Sequence, residues 1–108
     1  MDKSLNQGRE FIKHKINASL QIIPIGKDID PYAVVDCVID RIRETGIKYR
    51  VCPMETVLEG EFDEIIRIIK TAHLAALESG AAKVLATIKT DWSAYGDVSI
   101  EKKMDKYQ

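Results

Sequence analysis

Lys15 to Gly26 reads KINASLQIIPIG. Taken with period two, Ile16, Ala18, Leu20 and Ile22 make an unbroken apolar face, and Asn17, Ser19 and Gln21 make a neutral, hydrogen-bonding one closed by Ile23. Strict alternation over this length predicts a strand with one face on a core. The chain is expected to enter it from about Phe11. Pro24 and Gly26 are expected to end it, because proline cannot donate to a ladder and glycine permits a turn. A sheet face that only meets water ordinarily carries Lys and Glu. We therefore expect helices over the apolar face and the working surface on the polar one.

Working outward, Asp30-Pro31 has the form of a helix N-cap followed by proline at the first helical position, where a missing N–H costs nothing. Val35, Val38, Ile39 and Ile42 then recur at helical spacing, with Cys37 beside them as a packing residue, and Gly46 fits the C′ position. Ile47 to Pro53 alternates again, with Ile47, Tyr49 and Val51 inward and Lys48, Arg50 and Cys52 outward. Pro53-Met54-Glu55 reads as the turn of a hairpin whose return strand is Thr56 to Gly60. We place Leu58 inward there, since the opposite facing would press Glu59 against the core.

Phe62 to Ser79 carries the strongest helical pattern, with a stripe of Phe62, Ile65, Ile66, Ile69, Ala72, Ala76 and Leu77, acidic residues in its first turn and Gly80 after it. Lys83 to Thr90 is the last long strand, with Val84, Ala86 and Ile88 toward the core and Leu85, Thr87 and Lys89 outward. A loop carrying Trp92 and Tyr95 leads to a short polar helix from about Val98. The two halves echo each other: Glu44-Thr45-Gly46 and Glu78-Ser79-Gly80 each precede a strand. The order is β-α-β-β-α-β. It predicts an α+β fold, a ferredoxin-like βαββαβ sandwich. Its four-stranded antiparallel sheet would have two helices on one face and be followed by a short C-terminal helix. Right-handed crossovers place the first and third strands in the centre.

The chain has 108 residues, enough for one domain. Residues 1–10 are expected to be a flexible N-terminal tail and residues 11–108 the domain. A formal net charge of −1 offers no electrostatic case for nucleic acid or an anionic membrane. No apolar run is long enough to span a bilayer, and the start of the chain has no signal-peptide character. With no secretory signal, Cys37 and Cys52 read as free thiols and the protein as cytoplasmic.

On the open sheet face, short polar groups mix with apolar ones. Such a mixed patch predicts contact with a second copy of the chain, and a small-molecule pocket where two such faces meet. The segments SLQIIPIG (Ser19–Gly26), PMETVLEGEFDE (Pro53–Glu64), KTAH (Lys70–His73) and ATIKTD (Ala86–Asp91) together resemble a family of small ferredoxin-like thiamine-binding proteins. The likeness runs from Lys15 to Asp91 in order and spacing, and no one segment is diagnostic. It implies homodimers and homotetramers through sheet faces, and non-catalytic binding of thiamine or its hydroxymethylpyrimidine part. No cofactor beyond that ligand, and no metal, is implied. Glu55 departs from the family, which usually has glycine there, and WSAYG at Trp92–Gly96 stands where the family is usually basic.

The implied ligand has an amine donor, ring-nitrogen acceptors and, in thiamine, a cationic ring. Ser19, Gln21 and Thr87 can donate and accept. Glu55 or Glu59 would balance a positive charge, and Met54 would pack on the ring. Cys52 on the outward face, Thr56 in the hairpin and Lys89 on the last strand complete the candidate site. Lys89 and Arg50 would repel a bare cation and suit a phosphate or the glutamates instead. His73 reads as a structural histidine at the core edge, and His14 as the solvated start of the first strand.

The same topology admits three other functions. An RNA-binding sheet needs stacking aromatics on its central strands, and Ser19, Gln21, Val57 and Glu59 stand there instead. A small acyl-phosphate hydrolase needs an arginine in a phosphate-cradling loop, and Ile25–Asp28 has only Lys27. A structural or regulatory oligomeric domain without a small-molecule ligand is the alternative that remains.

Overall fold

A computed structural model describes residues 10–107. The expected tail over residues 1–10 lies, apart from Glu10, outside the described residues. A 3-10 turn at Glu10–Lys13 is followed by β1 (Ile16–Ile25), α1 (Pro31–Glu44), β2 (Lys48–Val51), β3 (Thr56–Gly60), α2 (Phe62–Glu78), β4 (Lys83–Asp91) and α3 (Ile100–Met104), then a second 3-10 turn at Asp105–Tyr107. All pairings are antiparallel and the strand order is β2-β3-β1-β4, with the first and third strands central. This is the split β-α-β sandwich expected from the element order.

β1 starts later and ends later than expected. The 3-10 turn, not strand, occupies the region around Phe11, and Pro24 lies inside the strand opposite Val84. The reason is the ladder. β3 pairs with β1 only from Ile16 to Leu20, so beyond that point β1 is an edge on its β3 side. The Ile25 carbonyl accepts from Ala82 N at 2.8 Å on the β4 side. Successive residues point their backbone groups to opposite sides, so the Pro24 nitrogen faces the unpaired side, where no donor is missed.

The helices begin and end where local chemistry dictates. The Asp30 side chain accepts from Tyr32 N at 3.0 Å, with proline at the first helical position. Gly46 follows the last turn at φ +80°, a conformation that glycine adopts without strain. Gly80 does the same after α2 at φ +107°.

The core lies between the sheet and the two long helices. Ile16, Ala18, Leu20 and Leu58 from the sheet meet Val34, Val38 and Ile42 of α1 and Ile65, Ile69 and Ala72 of α2. Three details differ from the sequence reading. Val34 is buried where Val35 and Ile39 are half-buried, and Cys37 is exposed rather than packed. On α2, Ile68 and Ala75 are buried while Ile66 and Leu77 are exposed. That helix is apolar on most of its circumference, so spacing alone does not say which flank meets α1. Val51 and Ile88 are 50% and 42% exposed, since each lies on an edge strand beyond the cover of the helices. Trp92 stacks on Phe62 with ring centroids 5.1 Å apart, meets Phe11 edge-on and donates to its carbonyl at 2.8 Å. His14 lies before the strand, with Nδ1 3.0 Å from the Ser93 carbonyl.

Candidate functional site

The register builds the open face in cross-strand rows. Lys48, Glu59, Asn17 and Asp91 form one row from β2 to β4, and Arg50, Val57, Ser19 and Lys89 form the next. Beyond them Gln21 stands opposite Thr87, and Ile23 opposite Leu85. Side chains of one row share a face because alternate residues point to alternate sides.

This face is not bare. The C-terminal segment folds back over its first row. Val98 N donates to the Lys15 carbonyl at 2.9 Å, and Lys15 N donates to Asp97 Oδ1 at 2.8 Å. The Ile100 N–H, in the first turn of α3, donates to Glu59 Oε1 at 2.7 Å, and Ile100 is buried. Lys48 pairs with Glu101, and Lys103 with Asp91 at 2.6 Å. The hydrogen bond from Lys48 holds the Glu101 carboxyl below the ordinary glutamate range, and the same bond raises Lys48. Ser99 caps the helix through Lys102 N.

Asn17 lies under this segment. Its amide nitrogen donates to Glu59 Oε1 at 3.4 Å and to the Val98 carbonyl at 3.2 Å. A carbonyl oxygen can only accept, so the bond to Val98 fixes the amide orientation. The Asn17 Oδ1 that remains is buried and has no partner among the described residues.

Between α3 and the hairpin, the open face forms a cleft of about 460 Å³. Ser19, Val57, Arg50 and Lys89 line it, with Cys52 and Glu55 at the hairpin end and Ile100 and Met104 at the other. The volume falls in the range of small-molecule sites, roughly 300–1,000 Å³. A groove of about 510 Å³ lies between α1 and the hairpin, walled by Val35, Ile39, Val51 and Met54.

The structure thus brings Ser19, Cys52, Glu55 and Lys89 of the expected site into one cleft. Gln21 and Thr87 form the adjoining row of the same face. Met54 and Thr56 line the groove on the helix side: Met54 is exposed in the turn, and Thr56 is buried beside Leu58 on the core-facing side. Glu59 faces the open side, but its carboxylate is occupied by Ile100, Asn17 and Lys48. Asn17, Ile100, Lys103 and Met104 at the cleft were not anticipated as site residues. Asn17 was visible as an outward position of β1. The α3 residues had no local signal, because nothing in a short polar helix says which surface it meets. Trp92 lies with Phe62 and Phe11, and Tyr95 is exposed in the loop. His73 Nδ1 is 2.8 Å from the Ile69 carbonyl one helical turn back, a structural role. Among the described residues no group of three His, Cys, Asp or Glu is placed to hold a metal, and no helix is long and apolar enough to cross a membrane.

A sequence profile described as thiamine-binding protein matches residues 18–108. A UPF0045 protein of Clostridium perfringens is 41% identical over 92 residues, covering 85% of this chain and 96% of that one. A domain of unknown function from Bacillus cereus superposes with a TM-score of 0.84 at 35% identity, covering 88% of this chain and 91% of the other. A Thermotoga maritima protein proposed to serve thiamine biosynthesis or salvage superposes at 0.76 with 34% identity, covering 87% and 99%.

Proposed function

Because the chain belongs to the thiamine-binding protein family, we propose that it binds thiamine or its hydroxymethylpyrimidine part in the open-face cleft, without catalysing a reaction. The observation that carries this reading is the composition of the cleft. It joins an apolar floor at Val57 and an apolar wall at Ile100 and Met104 to a hydroxyl at Ser19 and a carboxylate at Glu55. Such a site can hold a flat heterocycle and orient it with few polar contacts. Gln21 and Thr87 extend the hydrogen-bonding surface by one row.

A second copy of the chain closes the site in this reading. Ile23 and Leu85, at 40% and 47% exposure, lie paired at the end of the open face away from α3. With α3 occupying the first row, the contact between copies falls toward the Gln21–Thr87 and Ile23–Leu85 rows. These exposed apolar residues equally favour a structural or regulatory oligomer without a ligand.

Titration of thiamine and of hydroxymethylpyrimidine, followed by calorimetry and melting temperature, separates the two. Saturable stabilisation supports binding, since a ligand of the folded state raises stability with concentration. No shift with either compound at millimolar concentration leaves the structural oligomer. Ser19→Phe or Thr87→Phe abolishes the shift while keeping the fold. Normal binding by both variants would show that the ligand sits elsewhere.

A further inference from the structure

The charges around the cleft divide into two groups. Lys48 and Lys103 are paired, with Glu101 and Glu59 for the first and Asp91 for the second, and the Lys48–Glu101 and Lys103–Asp91 pairs fasten α3 to the sheet. Arg50 and Lys89 have no carboxylate within 4.0 Å among the described residues. They are the two ends of a single row, Arg50–Val57–Ser19–Lys89, and all four residues line the cleft. Three strand spacings of about 4.8 Å set their backbones about 14 Å apart. Both side chains are long, leave the same face of the sheet and flank the Ser19 hydroxyl.

A guanidinium, an ammonium and a hydroxyl around one space form a donor set for a phosphate. The arginine fork matches two phosphate oxygens at once, the lysine adds a point charge and the serine adds a third donor. The same pair of cations disfavours a ligand whose net charge is positive. Glu55, at the hairpin end of the cleft, is the carboxylate placed to meet a cationic ring. Glu55 therefore stands one row beyond the cationic row on the same face, toward the hairpin.

We infer that the ligand is the phosphorylated form: a thiamine-type heterocycle carrying a phosphate monoester, with the phosphate between Arg50 and Lys89 over Ser19 and the ring toward Glu55. This rests on the proposed binding of a thiamine-type ligand and specifies which member of that class is taken.

The test compares thiamine, thiamine monophosphate and inorganic phosphate by calorimetry on the wild-type protein and on Arg50→Gln and Lys89→Gln. Both positions are exposed, and circular dichroism with melting temperature verifies that each variant is folded. The expected result is about tenfold or greater preference for the monophosphate over thiamine, with that preference reduced about tenfold by either variant. Equal or tighter binding of thiamine by the wild type overturns the phosphate inference and leaves the thiamine-type reading standing. Binding of neither thiamine compound overturns the reading itself, with or without binding of inorganic phosphate. If the variants change the sedimentation coefficient and leave the ligand preference untouched, Arg50 and Lys89 are interface charges and the inference fails.

Discussion

Glu59 Oε1 accepts the backbone N–H of Ile100 at 2.7 Å, across 41 residues of chain. The side chain of Glu59 is only 9% exposed, and it also receives Asn17 Nδ2 at 3.4 Å and lies 3.5 Å from Lys48 Nζ. A carboxylate with so little water around it needs such donors, since a buried charge without them is costly. The central strand is thereby joined to the C-terminal helix, and the cleft acquires a wall from the same chain.

Removing that acceptor should release the wall. Glu59→Ala is expected to destabilise the protein by about 2 kcal/mol, the scale of a hydrogen bond to a charged group. Glu59→Gln keeps one acceptor oxygen and should lose less. Denaturant unfolding gives the stability, and amide exchange at Ile100 reports the wall directly. An Ile100 amide as protected in Glu59→Ala as in the wild type would refute the anchoring role.

The Lys48–Glu101 pair makes the attachment of α3 sensitive to pH at both extremes. Glu101 is lowered, so its contribution is complete above the ordinary value of 4.5 and is lost as pH falls through the lowered one. Lys48 is raised, so its contribution is complete below 10.5 and is lost as pH rises through the raised value. The helix should therefore be held evenly between these limits and loosen in acid. An NMR pH titration of the Glu101 carboxyl carbon should show a midpoint below 4.5 that rises toward 4.5 in Lys48→Met. A midpoint that is the same in both proteins would remove the pair from the account.

Two glycines offer a clean contrast. A Cβ at Gly46 would meet nothing within 4 Å, yet its φ is +80°. Gly46→Ala should therefore cost about 1 kcal/mol from backbone strain alone. A Cβ at Gly96 also meets nothing within 4 Å, and its φ lies outside the left-handed region, so Gly96→Ala should be near neutral. Chemical denaturation of both variants checks this, and equal effects would mean that the helix C-terminus tolerates a side chain in this conformation.

The row of Ile23 and Leu85 should govern association. Ile23→Lys together with Leu85→Lys places two charges on the face where a second copy is proposed to sit. Analytical ultracentrifugation should show a shift to monomer with melting of the isolated domain little changed, since surface substitutions usually alter stability by less than about 0.5 kcal/mol. An unchanged sedimentation coefficient would place the contact between copies elsewhere.

The order of strands and helices, the central position of β1 and β3, the Asp30 cap and the Gly46 and Gly80 stops were all readable from the chain. Each depends on a period of two or of 3.6, or on cap chemistry that acts within a few residues. The alternation of β1 also announced that Ser19 and Gln21 would share a face. Tertiary structure decided what else stands on that face. It put Arg50 and Lys89 in one row by strand register and turned α2 so that Ile68 and Ala75 are covered instead of Ile66 and Leu77. It also laid Ile100 on Glu59 and made a cleft from a flat sheet. These outcomes join residues about forty or more positions apart, or choose between flanks of one helix. The free energy that selects them comes from the fit of whole surfaces, which no stretch of chain carries by itself.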